Sequence, residues 1–111
     1  MKERRYLYEG MYVLNASLSE DTRKKALDKI TNGITERGGE IHKLFDWGRR
    51  KLAYEINKKK EGYYYVICFT IGSSHIAPLW KDYSLHEDLL RYITRREETV
   101  RESMEFKPFK L

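Results

Sequence analysis

This 111-residue sequence has one cysteine, two prolines and no long apolar run, and each shortage excludes a class of protein. The lone thiol, Cys68, allows neither an intramolecular disulfide nor a cysteine-cluster zinc site, so we expect a reduced, cytoplasmic setting. No segment approaches the roughly eighteen apolar residues that cross a membrane. The opening residues Met-Lys-Glu-Arg-Arg do not lead into the apolar core of a secretory signal. We therefore predict no membrane partner.

The motifs of catalysis are missing as well. The three histidines, His42, His75 and His86, are far apart and match no metal-ligand spacing. No glycine-rich phosphate loop of the Walker or Rossmann kind occurs, and Cys68 has no neighbouring base that would activate its thiol. The sequence therefore predicts no enzyme, no metal, no cofactor and no small-molecule substrate.

Positive charge is in modest excess, with 22 lysines and arginines against 17 acidic residues and a net charge of +5. Aromatic residues make up 14% of the chain, and nine of them are tyrosines. Cations interleaved with tyrosines suit RNA, whose phosphates attract cations and whose unstacked bases lie on rings. Tyrosine is also a favourable strand residue. Composition alone therefore leaves a nucleic-acid partner and an ordinary sheet protein equally open.

Strand and helix patterns alternate along the chain. Short aromatic and β-branched runs predict strands, while apolar residues three or four apart predict helices. Ser19 is a suitable N-cap for the first helix, and the glycines at 38 and 39 end it. The predicted strands are residues 6–14, 40–47, 49–56, 63–71 and 89–96, with Gly48 as an interruption, residues 58–62 as a polar hairpin tip, and a second helix at 75–83 capped by residues 72–74.

The predicted order β-α-β-β-α-β is that of an α+β protein with the ferredoxin-like split βαβ fold. Such a fold has a four-stranded antiparallel sheet with two helices on one face. In the strand at 63–71 the odd positions are more apolar than the even ones, so we expect the odd set to face the helices. We predict one domain over residues 1–97. The charged residues 98–111 are predicted to form a tail that stays extended or disordered until it meets a partner.

The same element order leaves two alternatives open. A small enzyme of the acylphosphatase form needs a phosphate-binding loop after its first strand, and residues 15–18 (Asn-Ala-Ser-Leu) do not resemble one. An RNA recognition motif would need Tyr63 and Tyr65 to face RNA, against the orientation predicted above. Its third-strand signature is matched here at Gly62, Tyr63, Tyr65 and Val66, but not at Glu61, Tyr64 and Cys68.

The segment Gly48-Arg-Arg-Lys-Leu-Ala-Tyr-Glu-Ile56 closely resembles the signature of the bacterial small-subunit ribosomal protein six family. That signature is a glycine and two or three basic residues followed by Leu-Ala-Tyr-x-Ile. The family usually has proline where this chain has Glu55. Three further segments resemble the family's first, third and fourth strands in the correct order: Tyr8-Glu9 with Tyr12-Val13-Leu14-Asn15, Gly62-Tyr63-Tyr64, and Leu89-Leu90-Arg91-Tyr92.

The resemblance implies a structural component of the small ribosomal subunit, located in the cytoplasm. It implies binding to the central domain of 16S ribosomal RNA as a heterodimer with small-subunit ribosomal protein eighteen. The predicted contacts with that protein are Asp46, Arg50 and Lys51, and the predicted RNA contacts are Arg4, Arg5, Arg91, Arg95 and Arg96.

Each of these basic segments also has a simpler interpretation. Charges on an edge strand prevent unwanted strand pairing, which is compatible with a docking role for residues 49–51. The lysine run at 58–60 is conspicuous, but it is interpreted as a solvated hairpin tip. The RNA contacts are expected to position phosphates and not to read sequence.

Overall fold

The computed structural model describes residues 4–56, 58–100 and 102, and the chain follows the predicted element order. Its strands form one antiparallel sheet in the order β2-β3-β1-β4, with β1 and β3 at the centre. The ferredoxin-like prediction is confirmed. The elements are β1 (Arg5–Asn15), α1 (Glu20–Glu36), β2 (Glu40–Ile56), β3 (Lys59–Gly72), α2 (Ile76–Ser84), which follows a 3₁₀ turn at Ser73–His75, and β4 (Leu89–Glu97).

The first helix begins and ends as the sequence predicts. The Ser19 hydroxyl accepts a hydrogen bond from the backbone N–H of Thr22, 3.2 Å away, which satisfies one of the free donors of the first turn. At the other end Gly38 adopts a φ of +81°, a conformation that glycine reaches without the steric cost of a Cβ. The buried face of the helix carries Ala26, Ile30 and Ile34.

Odd positions of β3 face the helices, as predicted. Tyr65, at 4% exposure, packs in the helix-side core, so its ring is not available to stack on a base. This geometry removes the RNA recognition motif alternative. The other buried members of the helix-side core are Tyr8, Tyr12, Leu14, Ala26, Ile30, Ile34, Ile67, Phe69, Ile71, Leu79, Tyr83 and Leu89.

Two local predictions, for the hairpin tip and for the cap of the second helix, were wrong. Residues 59–62 belong to β3 and not to a hairpin tip, because they pair with β2 through Lys51 opposite Glu61 and Ile56 opposite Lys59. The predicted interruption at Gly48 is a bulge, through which β2 continues. The N-cap of the second helix is His75 and not a residue of 72–74, and it makes no side-chain cap hydrogen bond, because a 3₁₀ turn at Ser73–His75 comes before the helix.

A pair of buried tyrosines joins the sheet to the second helix. The hydroxyls of Tyr12 and Tyr83 lie 3.0 Å apart, and their rings meet edge to face. Tyr12 is fully buried, and burial raises its pKa well above the usual value. Burial likewise raises the pKa of Tyr83 to about 12. Both hydroxyls are therefore held neutral and hydrogen-bonded inside the core.

Gly10 makes room for the Tyr12 side chain. A Cβ added at Gly10 would lie 2.4 Å from the Tyr12 hydroxyl oxygen. We expect Gly10→Ala to lower the free energy of unfolding by about 2 kcal/mol or more, because the buried ring has no space into which to move. Chemical denaturation would measure this. The control is Gly33→Ala in α1, where the new Cβ would meet only Leu79 at 3.7 Å and helix propensity favours alanine by up to about 1 kcal/mol. Equal effects at the two glycines would contradict the steric argument.

Alkaline pH should weaken the fold through Tyr83. Its pKa is about 12 in the folded chain against about 10 in an unfolded one, so its stabilising contribution is complete below pH 10. That contribution is lost as the pH rises from about 10 to 12. We expect Tyr83→Phe to reduce the fall in unfolding free energy over this range, as measured by denaturation at each pH. A fall that is unchanged in Tyr83→Phe would contradict the assignment.

Candidate binding surfaces

The sheet face away from the helices, called here the open face, carries a second apolar cluster. Odd residues of β1 and even residues of β3 supply its centre, and side chains from both edge strands pack around it. The central side chains of this cluster are themselves buried, with Val13 and Val66 at 0% exposure, so apolar packing covers both sides of the central strands. The cluster comprises Met11, Val13, Tyr64 and Val66, with Phe45, Trp47, Leu52, Leu90 and Ile93 packed against them.

Two of the predicted RNA contacts lie on the open face. Arg91 is opposite Val13 and Arg95 is opposite Glu9 in the β1–β4 register, and residues directly opposite share a face. The Nε atom of Arg91 is shielded from solvent and has no hydrogen-bond partner among the described residues. The four-residue spacing separates the two arginines by about 13 Å.

Arg4 and Arg96 both contact Tyr6, on the helix side of the β1–β4 edge of the sheet. We call these three residues the arginine–tyrosine cluster. The Arg96 guanidinium carbon lies 3.7 Å above the centre of the Tyr6 ring. A hydrogen bond with Arg4 lowers the pKa of Tyr6, and the charges of both arginines act in the same direction. A guanidinium that stacks through its flat face keeps its in-plane N–H groups available to an anion.

Arg5 does not join this cluster. One terminal nitrogen of its guanidinium donates hydrogen bonds to the carbonyl oxygens of Gly38, at 3.0 Å, and Thr70, at 3.4 Å. These bonds fasten the start of β1 to the turn that follows α1. Of the five predicted RNA contacts, the structure thus brings Arg4 together with Arg96, places Arg91 and Arg95 on the open face, and holds Arg5 in a structural contact.

The bulge in β2 decides which way the basic residues of the signature point. Before it, Asp46 is opposite Tyr65 and lies on the helix side; after it, Arg50 is opposite Gly62 and lies on the open side. The extra residue reverses the alternation of side chains. Gly48 makes the bulge with a φ of +72°, and its N–H donates to the Asp46 carboxylate at 2.8 Å.

The three predicted protein contacts therefore straddle the outer edge of β2. Lys51, opposite Glu61, returns to the helix side with Asp46, while Arg50 alone is on the open side. The Arg50 Nε atom donates to the Trp47 carbonyl at 3.0 Å, which steadies the side chain next to the bulge. No single face of the sheet presents all three.

Two residues near these sites were missed in the sequence. Tyr6 directly follows Arg4 and Arg5, so an aromatic residue beside paired cations was the available signal. Arg49 forms an ion pair with Glu61 at 2.6 Å, and this carboxylate raises the Arg49 pKa further. No local sequence signal links positions 49 and 61, since the hairpin register alone brings them together.

Glu102, which follows β4, contacts the opposite edge strand of the sheet. The Lys43 ammonium donates a hydrogen bond to the backbone carbonyl of Glu102, although β4 ends at Glu97 on the far edge of the sheet. Lys43 lies opposite Cys68 and therefore on the open face. Residues 101 and 103–111 lie outside the described part of the chain, so the prediction that residues 98–111 stay extended or disordered until they meet a partner remains a prediction.

No group of three or more histidine, cysteine, aspartate or glutamate side chains is placed to hold a metal ion within residues 4–56, 58–100 and 102. His42 is occupied instead with the Thr70 hydroxyl, 2.7 Å from its Nε2 atom. Over the same residues, neither helix has the length and apolar character needed to span a bilayer.

Comparisons with known proteins point to one family. The family model described as Ribosomal protein S6 matches residues 7–96. The small ribosomal subunit protein bS6 of Protochlamydia amoebophila is 59% identical over 101 residues, which cover 91% of this chain and 89% of that protein. The protein of the same name from Chlamydia pneumoniae is 54% identical over 105 residues, covering 95% and 94%.

Solved structures agree with the fold. The 30S ribosomal protein S6 of Thermotoga maritima superposes with a TM-score of 0.80 at 32% identity, covering 85% of this chain and 89% of that one. The P2 domain of the chemotaxis kinase CheA, solved in complex with the response regulator CheY, reaches a TM-score of 0.55 at 12% identity. The second likeness concerns the fold alone.

Proposed function

Since this chain belongs to the ribosomal protein S6 family, we propose that it binds the central domain of 16S ribosomal RNA together with small-subunit ribosomal protein eighteen. Its role is structural and ribosomal, and it is not an enzyme. The acylphosphatase alternative is thereby removed. In this proposal, residues of the β1–β4 edge bind RNA, and residues of the β2 edge bind ribosomal protein eighteen.

The arginine–tyrosine cluster carries the RNA proposal. It holds two guanidinium groups at the half-buried Tyr6, with Arg96 over the ring and Arg4 hydrogen-bonded to the side chain. Ion pairs of the described residues, such as Arg37–Asp82 and Arg49–Glu61, lie elsewhere. Arginine side chains that are not paired with carboxylates are available to bind phosphates. Arg91 and Arg95 extend the same positive edge onto the open face.

The protein proposal rests on the shape of the β2 edge. Its outer backbone groups face no other strand in the sheet order, and the bulge directs Arg50 to one side and Asp46 and Lys51 to the other. A partner that contacts all three must straddle the edge. The exposed Leu44, at 39%, adds apolar surface on the helix side, as expected of an edge that docks a protein.

Replacing both β4 arginines should weaken RNA binding in a salt-dependent way. For Arg95→Gln/Arg96→Gln we expect the slope of log affinity against log salt to fall by about two, one unit for each lost phosphate contact. The measurement is filter binding of a 16S central-domain fragment over a salt series, with ribosomal protein eighteen present. Without that partner, binding by the wild-type chain should be weak.

The matched control removes the same charge from the exposed face of α1, as Lys24→Gln/Lys25→Gln. It should keep the wild-type slope, because that face is not proposed to contact RNA. Equal losses in the two double variants would show that net charge alone matters, and would contradict an RNA site at the β1–β4 edge.

Charge reversal on either side of the β2 edge should weaken the heterodimer. We expect Arg50→Glu and Lys51→Glu each to reduce affinity for ribosomal protein eighteen by about tenfold, since each would place like or unpaired charge in the contact. Titration calorimetry would measure both, with Lys24→Glu as the control. A loss confined to one of the two variants would mean that the partner covers a single face, contrary to the straddling arrangement.

A further inference from the structure

The β2–β3 hairpin extends beyond the rest of the sheet. β1 ends its pairing where Asn15 meets Gly62, while β2 continues to Ile56 and β3 begins at Lys59. Residues 51–56 and 59–61 therefore form a two-stranded segment past the end of β1, called here the hairpin arm. Between this arm and the turn after β1 lies a cleft of about 660 Å³.

The cleft is strongly positive. Its lining includes Arg49 and four lysines against two carboxylates, Glu55 and Glu61, and the second carboxylate is already paired with Arg49. Three positive charges remain in excess, and charge focused in a concave surface attracts anions more strongly than the same charge on a flat one. The lysines are Lys51, Lys58, Lys59 and Lys60.

An aromatic ring sits among these cations. Tyr54 lines the cleft and is 38% exposed, whereas the tyrosines on the central strand β3, such as Tyr64 and Tyr65, are buried. The floor is a fixed turn, in which the Asn15 side-chain oxygen accepts hydrogen bonds from the N–H and hydroxyl of Ser17 at 3.1 and 2.9 Å. Lysines for phosphates and an exposed ring for a base are the parts of a single-strand binding groove.

We propose that this cleft binds a single-stranded segment of RNA, with Lys58, Lys59 and Lys60 on its phosphates and the Tyr54 ring stacked on a base. The inference rests on the proposed ribosomal RNA binding and adds a second, separate contact. β1 runs from the arginine–tyrosine cluster at one end to the cleft at the other, a length of about 33 Å for its eleven residues. The two sites thus hold RNA at opposite ends of the sheet.

The lysine run at 58–60 takes on a different role in this proposal. As a solvated hairpin tip it would have no directed contacts, but two of its members lie in a paired strand and all three line a concave surface. An acidic peptide is the competing ligand for such a charge. The exposed Tyr54 ring favours RNA, because a base stacks on it and a carboxylate does not.

Two variants of the full chain separate the electrostatic and stacking parts of the site. Lys59→Gln/Lys60→Gln should lower affinity for the 16S central-domain fragment by about tenfold at moderate salt and reduce the salt slope by about two. Tyr54→Leu should lower affinity by about fivefold or more without changing the slope, because stacking releases no counterions. Filter binding with ribosomal protein eighteen present is the measurement, with Lys24→Gln/Lys25→Gln as the charge-matched control and thermal unfolding as the check on folding.

The possible outcomes distinguish this site from the first one. Loss of affinity in Arg95→Gln/Arg96→Gln with wild-type binding in both arm variants would overturn the cleft and leave the proposed function intact. A wild-type chain that fails to bind the fragment at all would overturn the proposed function itself. Polyglutamate competition tests the acidic-peptide alternative. The RNA inference would be overturned, and the cleft assigned to an acidic peptide, by two results together: competition is lost only in Lys59→Gln/Lys60→Gln, and Tyr54→Leu binds RNA as the wild type does.

Discussion

The register between β1 and β3 is the constraint on which the rest of this structure depends. These two central strands pair over eleven residues without a shift, and both of their faces are covered by apolar side chains. A slip by one residue would exchange the helix-side core for the open-face cluster. Because this pairing is fixed, the two edge strands can carry bulges and charges without loss of the fold. Most of the candidate binding residues lie on those edge strands or past the ends of the central ones.

Much of the fold was predictable because local patterns and tertiary packing agree. Ser19, the glycine pair after α1 and the odd–even contrast of β3 each express one physical preference, and the structure satisfies all three. The hairpin arm was not predictable, since Lys59 and Lys60 have little strand preference and pair only because the arm continues the ladder. Local propensity is a weak guide wherever neighbouring strands supply the stabilisation.

The candidate sites were predictable as residue types but not as arrangements. The arginine–tyrosine cluster joins positions 4, 6 and 96, which only the β1–β4 pairing brings together. That pairing contains an irregularity at Val13 and Leu14. The faces of Arg50 and Lys51 depend on the one extra residue at the Gly48 bulge, which reverses the alternation. A single inserted residue in a strand is invisible to a period-two pattern, so sequence could name these cations but not assign their sides.

The fit between Gly10 and the Tyr12 ring has an evolutionary consequence. The hydroxyl that meets Tyr83 occupies the space where a side chain at position 10 would begin. Gly10 therefore cannot gain a side chain while Tyr12 is kept. Descendants of this gene should acquire a larger residue at position 10 only together with a smaller residue at position 12. The substitution at position 12 must come first.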